Sequence, residues 1–194
     1  MVDEKETLHR YLTTRRAQLL GKLDGLDEYG IRRPMTPTGT NLLGLVKHVA
    51  SVELGYFGDC FGRRADRALP WFDEGAAPDA DMWATADETR DDIVDLHHFA
   101  ARHTDKTIEE LPLDAKGEVP WWPEERRVVT LHQILVHMCV ETAHHCGHAD
   151  IIRELIDGAV GRDATGADLG HRDAAGWSAL HDQIEQAARQ AAGR

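Results

Sequence analysis

The chain has 194 residues, enough for one core of full domain size, and nothing in its composition marks a second domain. Its 34 acidic against 22 basic side chains leave a formal charge of -12, which opposes unaided binding to nucleic-acid phosphates or anionic lipid surfaces. No apolar run approaches a membrane span, the opening MVDEKETLHR has no signal-peptide core, and Cys60, Cys139 and Cys146 are too few for a disulfide framework, so a cytoplasmic protein with reduced thiols is expected.

The helical pattern begins at Glu4, where Leu8, Leu12, Leu19, Leu20 and Leu23 trace one stripe that ends at Gly25 and a loop through Pro34 and Pro37. Thr40 or Asn41 caps a second helix running to about Phe61. Its buried stripe is Leu42, Leu45, Val49, Val52 and Tyr56, with His48 on the margin and Glu53 further round. A long connection without sustained period follows, and connections of that length often carry function. Trp71, Phe72 and Trp83 within it are weighed equally as a wall over a site and as pins holding the loop.

Thr85 with Glu88 reads as a capping box that opens a third helix through Ile93, Leu96, His97 and Ala100 toward Asp105. His97, His98 and His103 are given no role. The next connection holds Trp121 and Trp122 among three prolines and ends near Thr130. These indoles are further wall candidates, and Arg126 and Arg127 are weighed as anchors for a substrate carboxylate, with a plain surface role preferred.

The chemistry is concentrated in Leu131 to Leu155, LHQILVHMCVETAHHCGHADIIREL. Leu131, Ile134, Met138, Ala149, Ile152 and Ile156 form its core stripe. Glu141, His144, His145 and His148, spaced i, i+3, i+4 and i+7, crowd one edge of that stripe, with His145 and Glu141 nearest its middle. Unpaired carboxylates and imidazoles are costly in an apolar interior, and a Glu/His pair at i, i+4 can close on one cation, so a divalent metal is inferred. Two ligands from one helix call for a third from another, and His48 is the best placed. Cys146 points away from His145 around the helix and reads as packing. Asp157-Gly158 ends the helix, the segment 159–176 reads as an exposed excursion, and Trp177, Leu180, Ile184 and Ala188 mark a short fifth helix on the bundle edge or against a dimer partner. No strand pattern is legible.

LLGLVKHVASVE followed by VHMCVETAHHCGHADIIRELIDG resembles the DinB/YfiT-like metal-binding superfamily, and within it the actinobacterial, mycothiol-dependent members. The resemblance covers roughly residues 4–158 and leaves the extension 159–194 unmatched. It implies an all-α, four-helix bundle with long connections. It also implies a metal held by His48, Glu141 and His145, zinc first, with nickel, manganese or iron as the other choices. Glu141 stands where many members carry His, and His148 stands where they carry an amide residue, so Glu141 and His148 are rival third ligands, with Glu141 preferred. The activity implied is that of a transferase that activates a low-molecular-weight thiol, mycothiol, as cosubstrate for attack on a small electrophile. His148 would then orient a ligand or relay a proton as the catalytic group. Metal-bound hydroxide acting as a hydrolase, and a non-catalytic metal-binding module, are the alternatives. The family's bundles often pair, which leaves room for a homodimer.

Overall fold

The computed structural model describes residues 3–161 and 172–194. Most of the expected excursion at 159–176 falls outside the described residues. Helix α1, Glu4–Gly21, is opened by Asp3, whose carboxylate accepts from the backbone of Lys5 and Glu6. A short helix α2, Glu28–Arg32, follows where a loop was expected, because Asp27 supplies a cap by accepting from Gly30 N. Helix α3, Leu42–Phe57, is capped by Asn41 through a 2.7 Å bond from Gly44 N. It stops four residues short of the expected end, at Gly58, and a tight 3-10 turn carries Asp59–Phe61 onward.

Helix α4, Arg90–Glu110, begins five residues after the expected cap. The capping box is Thr89 with Asp92, each side chain bonding the other's backbone N–H. Glu88 does accept from Thr85 N at 2.8 Å, but it is also drawn to the buried ammonium of Lys47, 2.7 Å away, and that turn does not continue as helix. Two three-residue strands, β1 Lys116–Glu118 and β2 Val128–Thr130, pair antiparallel with Gly117 opposite Val129. Strands this short show no alternation, so no pattern of residues marks them. Thr130 then caps the 27-residue α5, Leu131–Asp157, and Gly158 ends it in the left-handed region at φ 76°. Helix α6, Ala174–Ala191, forms over the expected amphipathic segment, and none of its described residues is buried.

The protein is thus mostly helical with one small sheet. Helix α3 is the most buried element and packs on α4 and α5, while α1 packs on α5 and α4. Apolar side chains gather in two main clusters. One holds Leu19, Leu23, Leu42, Val49, Cys146 and Ile152, and the other holds Leu12, Phe57, Ile108, Leu131, Ile134 and Met138. Between them lies a polar layer, because the helix positions separating the two clusters are Arg16 on α1, Glu53 on α3 and Glu141 to His145 on α5. Arg16 and Glu53, both nearly sealed from solvent, pair at 2.7 Å, and Arg16 also reaches Asp105. A buried ion pair of this kind is compensated by its own hydrogen bonds rather than by solvent.

Candidate metal centre

Three side chains from two helices meet in the polar layer. Glu141 Oε1 lies 3.1 Å from His145 Nε2 and 3.5 Å from His48 Nε2, and the two imidazole rings stand edge to face with centroids 4.9 Å apart. The helical repeat sets Glu141 and His145 one turn apart on α5, and the packing of α3 on α5 brings His48 across to them. All three ligand atoms fall within 4.8 Å of one another. His145 is buried, while Glu141 and His48 are half-buried, so the group has one dry side and one accessible side.

The orientation of His48 is fixed from behind. Its Nδ1 lies 2.6 Å from Asp81 Oδ2, so the N–H belongs on Nδ1 and the Nε2 lone pair faces Glu141. A lone pair facing a carboxylate oxygen is repulsive unless a proton or a cation lies between them. The group's electrostatics show the same demand. When His145 Nε2 and His48 Nε2 carry protons in place of a cation, their hydrogen bonds hold the Glu141 carboxyl well below the usual range despite burial. Burial opposes protonation of His48, yet Glu141 and Asp81 together raise its pKa. Two imidazole nitrogens and a carboxylate oxygen form a donor set that zinc and neighbouring divalent metals accept. Donors around a tetrahedral zinc stand about 3.4 Å apart, close to the two separations found here. These residues fit a divalent cation.

Asp81 carries no sequence signal, since it sits in the connection between α3 and α4 among other acidic residues. It is placed by backbone contacts. Asn41 Nδ2 donates to Met82 O at 3.1 Å, and Lys47 Nζ donates to Ala80 O at 2.9 Å and Trp83 O at 3.0 Å. The segment Ala80 to Trp83 is therefore tied to the first turns of α3, and Asp81 faces His48.

His148 stands outside the three-residue group. Its Nδ1 lies 3.4 Å from His145 Nδ1, the ring nitrogen other than the one that meets Glu141. Burial and the neighbouring imidazoles His144 and His145 lower its pKa. His97, assigned no role, is buried with both ring nitrogens unpartnered among the described residues. Cys146 donates to Arg15 O, and burial pushes its thiol up to about 11.

The expected aromatic walls divide. Trp71 is a pin: its indole donates to Ser51 Oγ at 3.0 Å and lies 4.1 Å under the Lys47 ammonium. Trp83 contributes its carbonyl to Lys47 and leaves its ring half exposed. Phe72 and Trp121 do line a cleft beside α3. Trp122 donates to Tyr56 OH, and Arg127 is engaged with Trp122 O at 2.8 Å, while Arg126 is exposed.

A search of curated proteins returns no match. The family model for mycothiol-S-transferase matches residues 7–158, which span helices α1 to α5 and every side chain of the centre. By that match the chain belongs to the mycothiol-S-transferase family.

Proposed function

We propose that the protein is a metal-dependent S-transferase that joins mycothiol to a small electrophile, with the metal held by His48, Glu141 and His145. The observation that carries this reading is the convergence of two imidazole nitrogens on Glu141 Oε1, with Asp81 fixing the tautomer of one of them. Family membership supports mycothiol as the thiol. When bound, a divalent metal supplies positive charge that lowers the pKa of a thiol beside it, and zinc is the first choice for this donor set.

The chain's own residues account for the rest. Burial raises all three protein thiols, Cys60 to about 12 and Cys146 to about 11, with Cys139 shifted the same way, so none is poised as the nucleophile and the reacting thiol comes from a small molecule. His148, held neutral at pH 7 by its lowered pKa and set against His145 Nδ1, orients that ligand and accepts a proton. The long helices α1, α3, α4 and α5, packed pairwise around the polar layer, support a four-helix bundle of DinB type as a single domain of residues 1–194, with its core at about 4–158 and α6 in the extension. No helix among the described residues is long and apolar enough to cross a membrane, which agrees with a cytoplasmic thiol enzyme. Metal analysis of untagged protein, with thiol consumption measured across mycothiol, bacillithiol and glutathione, tests the reading. One metal per chain and a preference for mycothiol are expected, and equal use of all three thiols would remove mycothiol from it.

A further inference from the structure

Beside the centre runs a cleft of about 360 Å³, at the small end of ligand pockets and sized for one or two rings. It follows the face of α3 that carries His48: Val52 is one turn on and Tyr56 two turns on, each turn advancing about 5.4 Å. From the α5 side, the ring of His137, one turn before Glu141, stands 4.7 Å from the Tyr56 ring. The lining therefore begins one turn from His48 on α3, and on the α5 side His137 stands between the cleft's Tyr56 and Glu141.

Its walls are apolar. Gly55 contributes no side chain, and a Cβ there would lie 3.4 Å from the Trp121 ring, which closes one side while Leu69 and Phe72 close another. Ser51 lines the cleft too, but its hydroxyl already donates to Lys47 O at 2.6 Å and accepts from Trp71 Nε1. Asp59 is the one carboxylate in the lining, and it disfavours anionic ligands.

Tyr56 is the exception in this apolar setting. Its oxygen accepts from Trp122 Nε1 at 3.1 Å and Trp121 Nε1 at 3.4 Å. Both lone pairs are then used, and the hydroxyl proton is left to donate, with no acceptor for it among the described residues. A donor that faces the cleft without a protein partner is left to water or to a ligand oxygen, and a ligand that takes it gains a directed contact.

We infer that this cleft seats the electrophile of the proposed transfer, an uncharged apolar compound whose displaced electron pair lands on oxygen, and that the Tyr56 hydroxyl donates to that oxygen. The inference rests on the transferase reading. With an aryl epoxide, sulfur bonds to carbon, the C–O bond breaks and its electron pair stays on oxygen. The proton released by the thiol ends on that oxygen, giving a β-hydroxy thioether with nothing expelled. A hydrogen bond from Tyr56 strengthens as charge gathers there, which is the condition for a contact to accelerate a reaction.

The test has a binding arm and a turnover arm. 1-Naphthylamine, a neutral fluorophore of two fused rings, is titrated into the full chain and displaced by acetophenone, which offers an oxygen, or by ethylbenzene, which does not. Acetophenone should displace it about two- to tenfold better, the range of one neutral hydrogen bond. Tyr56→Phe, which preserves shape, should erase that preference, and Trp121→Ala, on the exposed wall, should weaken the fluorophore itself. In the turnover arm, the ratio of styrene oxide to benzyl chloride consumption with mycothiol should fall at least about tenfold in Tyr56→Phe. Absence of fluorophore binding, or an acetophenone preference or rate ratio that survives Tyr56→Phe, overturns the inference even if thiol transfer is robust. Expected binding without any thiol transfer would instead count against the transferase reading, and with it the cleft's role as an electrophile seat.

Discussion

Gly44 and Met82 meet backbone to backbone: a Cβ on residue 44 would lie 1.8 Å from the Met82 carbonyl oxygen. The first turn of α3 can therefore hold the connection that carries Asp81 only because position 44 has no side chain. Gly44→Ala should push that segment away, separate Asp81 from His48 Nδ1, and weaken zinc affinity by about 10- to 100-fold, the usual cost of losing a group that orients a metal ligand. Competition with a chromophoric chelator measures it. Asp81→Asn should cause a similar loss without disturbing the loop.

The two histidine candidates should behave alike. His48→Ala and His145→Ala should each lose bound metal while circular dichroism keeps its helical signal, because the two apolar clusters lie on either side of the centre and do not depend on it. Full metal occupancy in either variant would remove that residue from the ligand set.

Glu141 and His148 separate by substitution. Glu141→Gln should weaken metal affinity, since Glu141 Oε1 faces both imidazole nitrogens. His148→Gln should keep the metal and lower turnover by about 10- to 1000-fold, the scale of a lost proton-transfer group. The reverse pattern would give the ligand role to His148.

His97 sets an acid-side loss of stability. Burial, helped by the nearby positive charge of Arg16 and by His98, lowers its pKa from 6.5 to about 4. Above pH 6.5 the ring is neutral in both folded and unfolded chains and its effect on stability is constant. As the pH falls from 6.5 toward 4, the unfolded chain takes up a proton that the fold refuses, so stability declines by up to about 3 kcal/mol. Urea unfolding at pH 7 and pH 5 should show this decline, and His97→Leu should make it smaller. The same variant should match or exceed the parent at pH 7, because it removes two unpartnered buried nitrogens.

Long periodic elements were legible in the sequence, and so were the three side chains they bring together. The i, i+4 relation between Glu141 and His145 follows from helical geometry alone, and the stripe from Leu42 to Tyr56 put His48 on the margin of its helix. Local signals misled where a tertiary partner competed for the same group: Glu88 looked like part of a cap, but the buried Lys47 draws its carboxylate, and α4 starts at Arg90. Asp81 was illegible for a related reason. Its position depends on contacts of the Ala80, Met82 and Trp83 carbonyls, and those are made by main-chain atoms common to every residue type. The free proton of Tyr56 was equally hidden, since it follows from two indoles more than sixty residues away in the chain.

The proposal that a metal at His48, Glu141 and His145 makes a small thiol reactive is tested by the pH profile of mycothiol consumption with a test electrophile, before and after chelation and after zinc is restored. Chelation should abolish consumption and zinc should recover it. The zinc-loaded rate should stay high below the free thiol's pKa, where the uncatalysed reaction fades with its thiolate. Undiminished consumption by metal-free protein, or a zinc-loaded rate that falls in step with free thiolate, would contradict the proposal.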